Sequence, residues 1–194
     1  MQELLINIFD KPLGIIIAQL VSATRFTIYL SLIAFIGGGI IALLITFLRI
    51  YPSKFLNFLS FSYVWLFQSL PLLMLLFLIG LGIPRFVGQD FDPWYAASIS
   101  LIVFTSAYLA EVWRGAILAI PKGQWEGAVA LNLNFFQTLR LIIIPQVYKY
   151  SIAPTVSFLI QIIKGTSLAY IIGCLLYTSP SPRDLARSRM PSSA

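Results

Sequence analysis

The chain has 194 residues, 59% of them apolar and only 10% charged, whereas soluble domains carry roughly 25% charged residues. With 15 Phe, 9 Tyr, 4 Trp and a mean hydropathy of +0.89, a water-soluble fold of this size would expose more apolar surface than one core can hide. The absence of His and the single Cys exclude a zinc site and Ser-His-Asp or Cys-His catalytic groups, so no metal, cofactor or hydrolytic activity is expected.

The net charge of +6 comes from basic residues placed singly between apolar runs. They form no patch for nucleic acid and read instead as membrane topology signals. Cys174 carries no redox information, and the N-terminus, with Glu3 and no basic segment, is unlike a cleaved signal peptide.

The first span is the uncharged run Phe26 to Leu48 between Arg25 and Arg49, which as a helix reaches about 35 Å and crosses a ~30 Å hydrocarbon core. Its Gly37-Gly38-Gly39 run suits close approach of a neighbouring helix, with a hinge as the alternative. The second span, Phe55 to Pro84, is longer than one upright helix needs and is interrupted by Gln68, Ser69 and Pro71. A kinked or broken helix is predicted there, and freed backbone groups at such a break are tolerated where they line a cavity.

The third span runs from about Trp94 to Ile120 and stops at Pro121 and Gly123, with Trp94 and Tyr95 placed like an interfacial belt. Glu111 and Arg114 sit three residues apart near its far end, where they can pair, either as an anchor or as a gate or substrate contact. The fourth span begins near Ser151 and passes Ile172, with Gln161, Lys164, Thr166 and Ser167 inside. Lys164 lies about 20 Å along that helix, deep enough to be a functional candidate unless its stem snorkels to the outer interface.

Six basic residues (Arg49, Lys54, Arg114, Lys122, Arg140 and Lys149) fall in connections on one side, and three (Lys11, Arg25 and Arg85) on the other. The richer side is assigned to the cytoplasm, which puts the N-terminus outside and residues 121 to 150 inside. That connection is too apolar to be disordered. Residues 123 to 131 suit a short helix, Asn132 a left-handed turn, and Asn134 with Gln137 a capping box starting a second helix that ends before Pro145. Trp125, Ala128, Leu131, Phe135, Phe136 and Leu139 form an apolar face that the hairpin cannot bury alone, so it packs under its own bundle or docks into another protein.

The run AYLAEVWRGAILAIPKGQWEGAVALNLNFFQTLRLIIIPQV resembles the EAA-loop signature of ABC-transporter permease subunits of the polar amino acid uptake type. The resemblance extends over residues 14 to 173, with FQSLPLL at 67 to 73 and KGTSL at 164 to 168 similar to further family stretches. It implies an all-α transmembrane bundle in a bacterial inner membrane, with residues 121 to 150 as a coupling loop that inserts into a cytoplasmic ATPase. Gly123, Glu126, Gly127, Ala128, Leu131, Asn132 and Pro145 would carry that coupling, the small Gly127 and Ala128 allowing close approach. Gln68, Ser69, Pro71, Glu111, Arg114, Lys164, Thr166 and Ser167 are the translocation or gating candidates.

The implied partners are paired ABC ATPases, an extracytoplasmic solute-binding protein and a second permease subunit. Gly127 replaces the motif's first Ala, at about 1 kcal/mol of helix propensity, Asn132 replaces its Gly, and Gln68 and Leu70 stand where Arg and Thr are usual. No GxxxxGK[ST] phosphate loop is present, so ATP hydrolysis is assigned to a separate subunit. The alternative is an ion-coupled small-solute carrier or channel using Glu111 and Lys164 as charge sites.

After Gly173 the composition turns polar, basic and Pro-rich. Residues 174 to 194 resemble translated sequencing adapter, and a disordered, non-native tail is expected in place of the family's last helix. Four spans are therefore predicted where the family usually has five.

Overall fold

A computed structural model describes residues 11–88 and 92–178, and among them every regular element is helical. Three helices are long and apolar enough to cross a membrane, and a bent pair makes a fourth span if counted as one. The all-α expectation is met.

Helix α1 (Lys11–Ile50) packs most extensively on α5 (Pro93–Leu118), the central helix of the bundle. The contact is a stripe of residues four apart on α1: Leu30, Ala34, Gly38, Ala42 and Thr46 are all buried. Small side chains at that spacing let two backbones approach, which is how helices associate in lipid, where no hydrophobic drive separates them from the solvent. The glycine run therefore serves close packing: a Cβ on Gly37 would stand 3.1 Å from Ile102, and the Thr46 hydroxyl donates to the Ala110 carbonyl at 3.2 Å.

The second span is broken. Helix α2 (Lys54–Ser69) and the segment from Leu72 to Phe86 are bent by 99°. Leu70 is extended (φ −93°, ψ 127°) because it precedes Pro71, whose ring disfavours helical backbone in the residue before it. Beyond the break come α3 (Leu72–Phe77), a π turn (Leu78–Gly82) and α4 (Ile83–Val87), closed by Gly88 at φ 71°. Asp92 then caps α5, accepting from the Trp94 N–H at 2.8 Å.

Past α5 come α6 (Lys122–Ala130) and α7 (Phe135–Thr138), a second π turn (Leu139–Ile143) and α8 (Ile144–Thr178). Here the structure corrects the expectation that the hairpin's second helix ends before Pro145: the chain stays helical through it. Proline lacks an N–H and crowds the carbonyl four residues earlier, and the wider turn relieves both problems, with the Ile144 N–H reaching Leu139 instead. The same device precedes Pro84, where the Ile83 N–H reaches Leu78. Helix α8 also continues five residues past Gly173, over Cys174, Leu175, Leu176, Tyr177 and Thr178. The rest of the tail expectation, residues 179–194, lies outside the described residues.

Candidate functional site

A cavity of about 570 Å³ opens at the break in the second span, within the ~300–1,000 Å³ usual for small-molecule sites. Three elements build it. The break supplies Gln68, Ser69, Leu70, Pro71 and Leu72; α5 supplies Leu101, Phe104 and Tyr108; α8 supplies Gln161, Ile162, Lys164, Gly165, Ser167 and Leu168. The bend is what opens the space, since a straight helix would carry residues 70–72 along α5 rather than around the cavity. Gly165 lets α8 close the other wall: a Cβ there would lie 2.8 Å from Leu72 Cδ2.

Of the sequence candidates, Gln68, Ser69, Pro71, Lys164 and Ser167 thus meet around one cavity, although they come from segments nearly a hundred residues apart. The Gln68 amide also donates to the Ala107 carbonyl at 3.3 Å, which fixes it against α5. Ser69 and Ser167 donate to carbonyls of their own helices, those of Trp65 and Lys164. Thr166 is buried beside the cavity, bonded to the Ile163 carbonyl at 2.7 Å, and does not line it. Phe104 and Tyr108 were not singled out by sequence; Tyr108 stacks on Phe158 at 5.3 Å and forms the aromatic wall. Their four-residue spacing on α5 was a usable signal, but one indistinguishable from ordinary core packing.

Glu111 and Arg114 pair, as their spacing predicts, but stand outside the cavity lining. The carboxylate also holds Arg49 at the end of α1, whose side chain is 7% exposed and lies over the Phe61 ring, 5.5 Å from its centroid. In the sequence Arg49 is legible only as a topology signal. The available clue was depth: Arg49 closes the first span at the same membrane face where Glu111 closes the third.

The connection folds as the local signals require. Asn132 has φ 55°, and the capping box is complete: Asn134 accepts from the Gln137 N–H at 2.9 Å while the Gln137 side chain accepts from the Asn134 N–H at 3.0 Å. Its apolar face is divided. Trp125 packs with Ile117, Ile120 and Ile143, Ala128 is fully buried, and Phe135 and Phe136 meet Tyr51 and Phe47 of the α1 end. Val129 and Leu131 remain 73% and 72% exposed, next to exposed Gly123, Glu126, Gly127 and Asn132. Ala128 therefore faces the chain's own core, and of the two small residues only Gly127 lies on the open surface. Pro145 is exposed in the first turn of α8. Among the described residues no cluster of His, Cys, Asp or Glu could hold a metal.

Three comparisons bear on this architecture. The profile of the binding-protein-dependent transport system inner membrane component matches residues 34–180. The chain is 36% identical to the L-cystine transport system permease protein TcyB of Bacillus subtilis, covering 74% of this chain and 61% of that protein. It is 34% identical to the arginine ABC transporter permease protein ArtM of Haemophilus influenzae, covering 84% and 74%. The glutamine transport system permease protein GlnP of Escherichia coli is 30% identical, with 81% and 72% covered. A solved structure described as an amino acid ABC transporter with histidines superposes with a TM-score of 0.70 at 28% identity, over 80% of this chain and 75% of that one.

Proposed function

Because the chain belongs to the binding-protein-dependent transport inner membrane component family, we propose that it forms the membrane pathway of an ATP-driven amino acid importer. The observation that carries this reading is the hairpin at residues 122–138. It packs through Trp125, Phe135 and Phe136 on the rest of the chain yet leaves Val129 and Leu131 in the open around the left-handed turn at Asn132. Apolar residues held exposed by a rigid turn form a docking face, and the resemblance of this segment to an EAA loop supplies the occupant, a cytoplasmic ATPase.

Movement imposed on the hairpin has a direct mechanical route into the bundle. Phe136 and Phe135 press on Phe47 and Tyr51, and Arg49 two residues beyond Phe47 is tied through Glu111 to α5. Helix α5 forms one wall of the cavity, so tilting it changes the cavity's shape. ATP binding in the partner would thus alternate access to the cavity, while an extracytoplasmic binding protein delivers polar amino acids and a second permease subunit completes the pathway. The basic bias puts the hairpin in the cytoplasm and the N-terminus outside.

The test is cross-linking in membranes that contain the chain and an amino acid importer ATPase of this family. Cysteine at Leu131 or Val129 should form a disulfide-length cross-link to a cysteine-bearing ATPase groove, and Val129→Glu should prevent association. A hairpin that cross-links to no ATPase while the protein remains folded would sink the coupling role.

A further inference from the structure

The exposed side of α1 carries its apolar character past the end of the span. Ile36, Ile40, Leu44, Phe47 and Tyr51 follow one another at spacings of three or four, and all are exposed. They share a helix face, turned away from the buried stripe that meets α5. Phe47 lies near the end of the Ala23–Ile50 span and Tyr51 one residue beyond it, where a helix passes from hydrocarbon into the headgroup layer. The hairpin joins the stripe at this level. Phe136 meets Phe47 with ring centroids 6.0 Å apart, Phe135 meets Tyr51 at 6.0 Å, and Phe47 and Tyr51 are 6.1 Å apart. Phe136 nevertheless stays 59% exposed. Two basic residues flank the rings: Lys54 is three residues beyond Tyr51 at the start of α2, and Arg140 is four beyond Phe136, on its helical face. Both are exposed, and among the described residues neither makes an ion pair. Of the acids at this end, Glu111 is held by Arg49 and Arg114, and Glu126 belongs to α6.

We infer that this patch binds the headgroup of an anionic phospholipid, its phosphate paired with Lys54 and Arg140 and its acyl chains lying on the α1 stripe. Each part of the patch matches one part of such a lipid. The apolar stripe suits the chains, the aromatic rings suit the headgroup layer, and the two unpaired cations suit a phosphate that carries no compensating ammonium of its own. A zwitterionic headgroup would bring a positive group beside two others. The patch is also distinct from the face assigned to the ATPase, since Val129 and Leu131 belong to α6 and its turn, whereas the rings belong to α7 and the α1 end. A bound headgroup would tie the start of α2 to the hairpin, two segments far apart in sequence. The contact needs neither cargo nor an ATPase, so it stands apart from the transport reading.

The test counts lipids on the intact chain. The full chain is purified in detergent with equimolar phosphatidylglycerol and phosphatidylcholine of the same acyl chains, and retained lipid is identified by native mass spectrometry. Phosphatidylglycerol should be retained at least about fivefold over phosphatidylcholine, the effect of one basic group near an anionic headgroup. Lys54→Gln combined with Arg140→Gln should bring the two lipids to equal retention. Lys122→Gln combined with Lys149→Gln removes the same charge from the same membrane side and should leave the preference in place, with circular dichroism checking that each variant stays helical. Equal retention by the unsubstituted chain, or a preference unmoved by the Lys54 and Arg140 changes, would overturn the inference. So would equal loss in both double variants, which would show a diffuse basic field in place of a site. A lipid-free dimer that Phe136→Ala returns to monomer would assign the patch to a second copy of the chain and overturn it as well.

Discussion

Gly38 lies so close to Thr105 that a methyl group on it would stand 2.6 Å from the Thr105 Cβ and Cγ2 and 3.0 Å from the Ile102 carbonyl oxygen. No side-chain rotation relieves a clash with a β-carbon and a backbone oxygen, so the two helices would have to separate. Gly38→Ala should lower bundle stability by about 1–3 kcal/mol, read as a lower thermal midpoint in detergent. Gly39→Ala, whose methyl would meet only Trp113 at 3.9 Å, is the control and should leave the midpoint unchanged. In the same interface the Thr105 hydroxyl is buried without a partner among the described residues, so Thr105→Val should raise stability by about 1 kcal/mol.

The carboxylate of Glu111 is the shared counter-charge for two guanidiniums, one of them almost fully buried. Glu111→Gln leaves Arg49 charged and unpaired. Removing one partner of a buried pair costs about 3–5 kcal/mol, and with Glu111 itself 34% exposed, a loss of about 2 kcal/mol is expected after allowing for solvent. Combining it with Arg49→Met should restore much of that loss. Additive destabilisation in the double variant would show that the pair is not what holds the ends of α1 and α5 together.

The turn at Asn132 tests whether the hairpin is rigid by design of its backbone. Asn132→Gly should be neutral or slightly stabilising, because glycine adopts φ 55° without strain, while Asn132→Val should cost roughly 1–2 kcal/mol. Asn134→Ala should cost about 1 kcal/mol by removing the cap. Hydrogen exchange at the Gln137 and Thr138 amides should report both effects locally, faster exchange marking the Val and Ala variants.

Orientation can be read with two cysteines placed one at a time in a Cys174→Ser background. Phe86→Cys should react with a membrane-impermeant thiol reagent added to intact cells, and Lys122→Cys should react only after the cells are opened. The opposite pattern would reverse the assignment of the N-terminus to the outside.

Local signals in the sequence were reliable because they concern neighbours along the chain. Pro71 forces the residue before it out of helical backbone, Asn132 tolerates a left-handed turn, and Asn134 and Gln137 satisfy each other's backbone groups. The cavity was legible in its polar members, since Gln68, Ser69, Lys164 and Ser167 are anomalous inside apolar spans. Its apolar wall was not, because Phe104 and Tyr108 differ in no sequence property from core residues. Arg49 escaped because its partner is 62 positions away, and only packing reveals that the two helix ends coincide. The passage through Pro145 was misjudged for a different reason: proline disfavours a continuing α-helix, and one-residue widening accommodates it without any mark of its own in composition.

That widening fixes the compass bearing of everything downstream. A π turn accommodates one residue more than an α turn, and each residue in an α-helix advances the side chains by about 100°. Relaxing Leu139 to Ile143 into an ordinary α turn, with no residue removed, would swing the whole of α8 by that angle. Lys164, Gly165 and Ser167 would leave the cavity together, although none of them had been altered. A substitution that lets this turn relax, such as Pro145→Ala, thus acts at a distance, whereas deleting one residue within it leaves the bearing of α8 unchanged.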